Sequence, residues 1–229
     1  MRLDRFISEA TGMSRKEASK ALQRETVTVD GIAQKKAAFK VPQGAEVLYN
    51  NTPLELSGPT YLMMHKPLGC VCANDDPLHL TVFTYLDVPN PSKLHTVGRL
   101  DLDTSGLLLI TDDGKWSHRI TSPKQQCPKT YRAWLADPLS AADVTAFAAG
   151  LQLRNETTLT EPAVLEIIGE REALVHVHEG RYHQVRRMFA AVGNKVEQLH
   201  REQVGALSLD PTLAPGESRA LTPEEVALF

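Results

Sequence analysis

The sequence predicts an α+β fold: a small helix-strand domain over residues 1–56, then a larger domain over residues 57–229 with a mixed, mostly antiparallel sheet flanked by helices. Three observations lead there. Helical spacing and a capping pattern fill the first fifty residues. A stretch rich in Asn, Pro, Ser and Gly, residues 50–60, reads as a linker. Beyond it, short strands and helices follow one another without regular β-α-β alternation and without an internal repeat.

Composition bounds the possibilities. At 229 residues, 42% hydrophobic and 23% charged, the chain can bury a sizeable core and matches a soluble globular protein. No window approaches the ~20 apolar residues that span a bilayer, and no signal peptide opens the chain. The expectation is a cytoplasmic protein without membrane contact. Three cysteines, Cys70, Cys72 and Cys127, form no zinc-like pattern and read as packing residues in a reducing compartment. His176 and His178 alternate on a predicted strand, but no carboxylate or cysteine spacing completes a metal site. The net charge of −3 is unevenly divided. Residues 1–50 hold nine Lys/Arg against six Asp/Glu, a net of +3, and the remainder holds 16 against 22, a net of −6. A basic head on an acidic body suggests one module that meets phosphates and one that works at closer range.

The elements follow in order. Leu3, Phe6, Ile7 and Ala10 fall at helical spacing, and Gly12 can end that helix. Ser14 and Glu17 form a capping box for a second helix that runs toward Arg24, with Ala18, Ala21 and Leu22 facing inward. Residues 26–29 alternate as a strand, and Asp30-Gly31 turns it back. In the larger part, residues 61–65 predict a strand, and residues 66–69, Lys-Pro-Leu-Gly, a turn. The run Leu107, Leu108, Leu109, Ile110 predicts a buried strand. Residues 129–136 alternate as a strand, and Ser140 caps a helix that Gly150 stops. Residues 162–168 and 173–178 predict adjacent strands joined by a turn. Residues 183–192 predict a helix through Val185, Met188, Phe189 and Val192, ended by Gly193. Thr222, Pro223 and Glu225 carry the signature of a last helix start.

The most informative stretch is residues 95–114, HTVGRLDLDTSGLLLITDDG. Arg99 and Asp101 stand two apart just before the buried run. A carboxylate beside buried structure must be paired or put to work, because solvent does little for its charge there. Alone, the pair reads as an ion pair ordering a strand entrance. Asp103, Asp112 and Asp113 read as caps and turn residues.

GRLD followed by DTSGLLLIT resembles the catalytic motif of the RsuA-type pseudouridine synthases, and that resemblance makes Asp101 the catalytic residue. Lys129-Thr130-Tyr131 is similar to the family's second motif, whose tyrosine lies against the target base. Residues 180–189, GRYHQVRRMF, resemble a third, which implies Arg186 as the basic partner of the aspartate. Residues 196–202, VEQLHRE, resemble the segment whose leucine, here Leu199, packs on the pyrimidine. Lys66-Pro67-x-Gly69 is similar to the start of the family's catalytic domain. The helix-helix-strand-turn head, with Arg15, Lys16, Lys20 and Arg24, resembles the S4 RNA-binding module. Arg181 and Arg187 are added as RNA contacts. The family's reaction implies no cofactor and no metal, a uridine of small-subunit (16S) ribosomal RNA, position 516, as target, and a monomer acting on that RNA or on an assembling particle.

The chemistry suits these residue types. The C1′–N1 bond breaks, uracil rotates, and C5 rejoins the ribose, so a carboxylate is needed either to attack C1′ or to remove the 2′ proton. A guanidinium nearby keeps that carboxylate ionised in a water-poor pocket. Tyr131 can stack on the detached uracil, and Leu199 can close the other face. A stacked uridine must first be flipped out, and Arg99 is placed in the motif to support it. His183 and His200 read as structural or RNA-contacting residues rather than acid-base catalysts. Alternatives are a large-subunit synthase of the same chemistry, a non-catalytic S4-type RNA-binding factor, and a glycosidase-like hydrolase, which lacks a second carboxylate placed for water activation.

Overall fold

The computed structural model describes every residue except Glu25, Ser57, Pro89 and Asn90. The chain divides into two compact units, Met1–Pro59 and Thr60–Phe229, against an expected boundary at residues 56 and 57. Among the described residues no helix is long and apolar enough to cross a membrane.

The first unit holds α1 (Leu3–Thr11) and α2 (Arg15–Arg24), then four short strands: β1 (Val27–Val29), β2 (Ile32–Ala33), β3 (Val47–Tyr49) and β4 (Thr52–Pro53). The capping box forms as the spacing requires, with Glu17 N donating to Ser14 Oγ at 3.3 Å and Ser14 N to Glu17 Oε2 at 2.8 Å. Asp30 and Gly31 both take positive φ, 49° and 76°, so the hairpin of β1 and β2 turns in the sense that matches strand twist. Leu3, Phe6, Ile7, Ala18, Leu22, Val27, Val29, Val41 and Val47 make its core. Asp4 is buried among them and is held by Arg2 and Arg15, both at 2.9 Å.

The second unit is built on one mixed sheet. Its strands are β5 (Tyr61–Lys66), the short β6 (Cys70–Val71) and β7 (Leu80–Thr81), which pair with each other instead, β8 (His95–Val97), β9 (Thr104–Thr111), β10 (Lys129–Leu135), β11 (Val164–Gly169), β12 (Glu172–Val177), β13 (Val196–Val204), β14 (Leu207–Ser208) and β15 (Ser218–Ala220). The helices are α3 (Gly114–Thr121), α4 (Ala141–Ala149), α5 (Gln184–Ala191) and the short α6 (Pro223–Val226). The main path runs β11-β12-β10-β13-β9-β5-β15, with β14 on β13 and β8 on β9. Among the described residues its pairings are antiparallel except one, the parallel seam between β9 and β13.

Burial explains the unbroken apolar run. Leu108 and Ile110 point into one cluster with Leu62 and Met64, while Leu107 and Leu109 point into another with Met63 and Trp116. Strands covered on both faces need apolar residues at every position. The outer half packs differently: Ala133, Val175 and Leu199 join Phe147, Met188 and Phe189 of the covering helices. Helix α3 is capped by Asp113, whose carboxylate accepts from Lys115 N and Trp116 N.

Candidate active site at the parallel seam

The seam pairs Leu199 with Thr104, His200 with Ser105, and Arg201 with Gly106. It therefore sets the segment that carries Asp101 beside the middle of β13. Gly106 permits this approach: its φ is +111°, and a Cβ there would lie 2.2 Å from the Arg201 carbonyl oxygen. A cleft of about 620 Å³ opens at this point, and Arg99, Asp101, Tyr131, His183, Leu199 and Arg201 are among the residues lining it.

The loop bearing Asp101 is held from below. Lys66, fully buried at the end of β5, donates from Nζ to the carbonyls of Pro67 at 3.0 Å, Asp101 at 3.0 Å and Thr104 at 2.9 Å. Burial pushes its amine below the ordinary lysine range, and the charges of Asp101 and Asp103 oppose that shift. Asp101 itself remains one-third exposed, with Oδ1 3.4 Å from His183 Nε2. Strand alternation turns Lys129 and Tyr131 of β10 and Leu199 and Arg201 of β13 toward the same cleft. Arg201 is 4% exposed, and its Nε donates to the Leu107 carbonyl at 2.8 Å. Its Nη1 stands 3.5 Å from the Tyr131 hydroxyl, and Nη2 is buried without a partner among the described residues. A buried guanidinium with an unused N–H beside an aromatic ring is a receptor for negative charge.

A family model described as RNA pseudouridylate synthase matches residues 60–191. The chain is 56% identical to the ribosomal small subunit pseudouridine synthase A of Vibrio cholerae serotype O1, over 99% of this chain and 98% of the relative. It is 53% identical to the protein of that name in Escherichia coli strain K12, over 99% of each. The chain belongs to the RNA pseudouridylate synthase family. A solved crystal structure of a pseudouridylate synthase agrees, with 45% identity and a TM-score of 0.73 over the full length of both chains. Enzymatic formation of pseudouridine is thus its activity.

Within this synthase the expected residues divide. Asp101, Tyr131, Leu199 and Arg99 all line the cleft. Arg186 does not. On α5 it pairs with the Asp103 carboxylate at 3.0 Å and donates to the carbonyls of Asp103 at 2.8 Å and Val196 at 3.2 Å. The expected pairing with Asp101 is replaced by a brace between α5, the Asp101 loop and the start of β13. The buried cation of the cleft is Arg201 instead. One signal for it was present in the sequence: Leu199 and Arg201 stand two apart and so share a strand face.

The two arginines expected to touch RNA from this region are also committed internally. Arg181 donates to the carbonyls of Thr158 and Leu159 and to Glu179. Arg187 donates to Glu156 and to the carbonyls of Tyr182 and Arg154. Both fasten the loop around residues 154–159 to the base of α5, leaving little of either guanidinium for phosphate. In the first unit Arg15 is bound to Asp4, while Lys16, Lys20 and Arg24 are exposed along α2.

Proposed function

We propose that this synthase converts a uridine of small-subunit ribosomal RNA to pseudouridine, with Asp101 as the catalytic carboxylate. The observation that carries the reading is the shared cleft of Asp101, Tyr131, Leu199 and Arg201. The names borne by relatives at 53–56% identity support the choice of RNA. Asp101 acts at the ribose, either attacking C1′ or taking the 2′ proton. The electron pair of the C1′–N1 bond leaves with uracil, and the negative charge on the ring falls beside the Arg201 guanidinium. Tyr131 and Leu199 offer an aromatic and an aliphatic wall to hold the free base while it turns. C5 then bonds to C1′, displacing the Asp101 carboxylate or, on the other route, with Asp101 returning the 2′ proton. The proton lost from C5 passes to N1, and the Tyr131 hydroxyl is within the same pocket.

Lys16, Lys20 and Arg24 on α2 make the first unit an S4-like docking head whose contribution is electrostatic. Action as a monomer is part of the same proposal. The three free thiols suit the cytoplasm. The deciding experiment follows tritium release from 5-tritiated uridine in small-subunit RNA, naked and in a reconstituted particle. Asp101→Asn is expected to bind RNA normally and release tritium at less than about a thousandth of the wild-type rate. Wild-type-like release by that variant would remove Asp101 from the mechanism.

A further inference from the structure

We propose that His183 is a positioning residue for the catalytic carboxylate, holding one oxygen of Asp101 so that the other is free for the ribose. This rests on the reading of Asp101 given above. His183 Nε2 lies 3.4 Å from Asp101 Oδ1, and both side chains line the cleft while remaining about one-third exposed. Among the described residues Oδ2 has no protein partner. When its ring is protonated, His183 places a positive charge beside Oδ1, an ion pair that limits rotation of the carboxyl group. The contact bridges two segments far apart in the chain, the loop before β9 and the turn before α5.

The backbone at His183 is the second observation. It takes φ 48° and ψ 36°, the left-handed conformation, immediately ahead of α5. A residue with a Cβ pays for that conformation, and it persists only where the surroundings impose it. They do so thoroughly here. Arg181 N donates to Gln184 Oε1 at 2.8 Å, and Gln184 N to the Arg181 carbonyl at 3.2 Å. Arg187 N donates to the His183 carbonyl at 3.0 Å, and its guanidinium to the Tyr182 carbonyl at 3.1 Å. The two internally committed arginines therefore have a consequence: they lock the turn that aims the imidazole.

The ring is also fixed from its face. Tyr182 stacks on it, with centroids 3.9 Å apart and planes 17° from parallel. Tyr182 is 76% exposed, so burial of its own surface does not account for its position. A histidine needed only to start a helix would require neither a stacked neighbour nor contact with a carboxylate. A turn needed only for its left-handed backbone would be served better by glycine.

That last point supplies the test. His183→Gly relieves the backbone strain, removes the ring and leaves a space open to small molecules. Under single-turnover conditions with saturating RNA, its rate is expected to fall about 10- to 100-fold, the loss typical of a misplaced reacting group, with half-saturating RNA unchanged within about twofold. Added imidazole is expected to restore part of the lost rate, which it cannot do for Asp101→Asn. His183→Asn, which also tolerates the left-handed backbone, provides the same comparison if the glycine variant melts early. A saturating rate equal to wild type, or a loss that imidazole leaves untouched, overturns the assignment. Wild-type-like tritium release by Asp101→Asn would instead overturn the proposed role of Asp101, so the two failures are distinguishable.

Discussion

Gly106→Ala is the smallest change expected to damage both the fold and the site. A Cβ at this position would stand 2.2 Å from the Arg201 carbonyl oxygen, 2.6 Å from its nitrogen and 2.9 Å from its carbonyl carbon. All three are backbone atoms of the paired strand, so no side chain can swing aside to make room. The clash is relieved only if β9 and β13 separate, and β9 is also tied to β5 through the pair Lys66 and Gly106. Overpacking of this kind costs about 1–3 kcal/mol, and a non-glycine residue at positive φ adds about 1–2 kcal/mol. The total of about 2–5 kcal/mol corresponds, at about 2–4 °C per kcal/mol for a unit of this size, to a melting temperature lower by roughly 10 °C. Opening the seam by about 1 Å also moves Arg201 relative to Asp101, for which a loss of about 100-fold in rate is expected. Calorimetry and single-turnover tritium release measure the two effects on the same sample. A variant that melts within about 2 °C of wild type and reacts normally would refute the claim that close backbone approach at the seam builds the site.

Two further outcomes follow from buried charges. Lys66→Met removes the donor shared by three carbonyls, so a destabilisation on the order of 3 kcal/mol is expected, together with a lower saturating rate because the Asp101 loop loses its anchor. An unchanged denaturation midpoint would show that the ammonium is dispensable. In the first unit, hydrogen bonds from Arg2 and then Arg15 hold the Asp4 carboxyl at about 2, below its ordinary 3.8. A carboxyl lowered in the folded state contributes stability above its unfolded value and loses it as pH falls from about 4 through about 2. Hydrogen-exchange protection of α1 should therefore decline over that interval in the wild type and change less in Asp4→Asn. Parallel pH profiles for the two proteins would count against the pairing as a source of acid sensitivity.

What could be read in advance was what depends on near neighbours. The Ser14 and Glu17 box, the Asp30-Gly31 turn, the Thr222 cap and the alternation of β10 all involve residues within a few positions of each other. Strand β13 was harder. Its apolar residues Val196, Leu199 and Val204 are irregularly spaced, because Arg201 occupies a buried position that a hydrophobic residue would otherwise mark. The same substitution of a cation for an apolar side chain hid the buried arginine of the site. Arg186 lies on a helix that looked suitable, but Asp103 was close enough to take its guanidinium, and no spacing rule reveals a competing partner. His183 read as the first residue of a helix with a structural or RNA-contacting side chain, since its left-handed backbone is imposed by Arg181, Gln184 and Arg187 acting together.

The parallel seam also bears on when during synthesis the enzyme can first act. Parallel neighbours cannot be joined by a tight turn, and here β10, α4, β11, β12 and α5 all lie between the two halves of the cleft. Asp101 leaves the ribosome well before Leu199 and Arg201, and until β13 inserts between β10 and β9 there is no pocket for a base. Such distant pairing forms late and slowly. A chain stalled or cut short before β13 would carry Asp101 without the β13 residues that line the cleft. Catalytic competence in this synthase is thus a property of the finished sheet, and nascent or truncated chains are silent by construction.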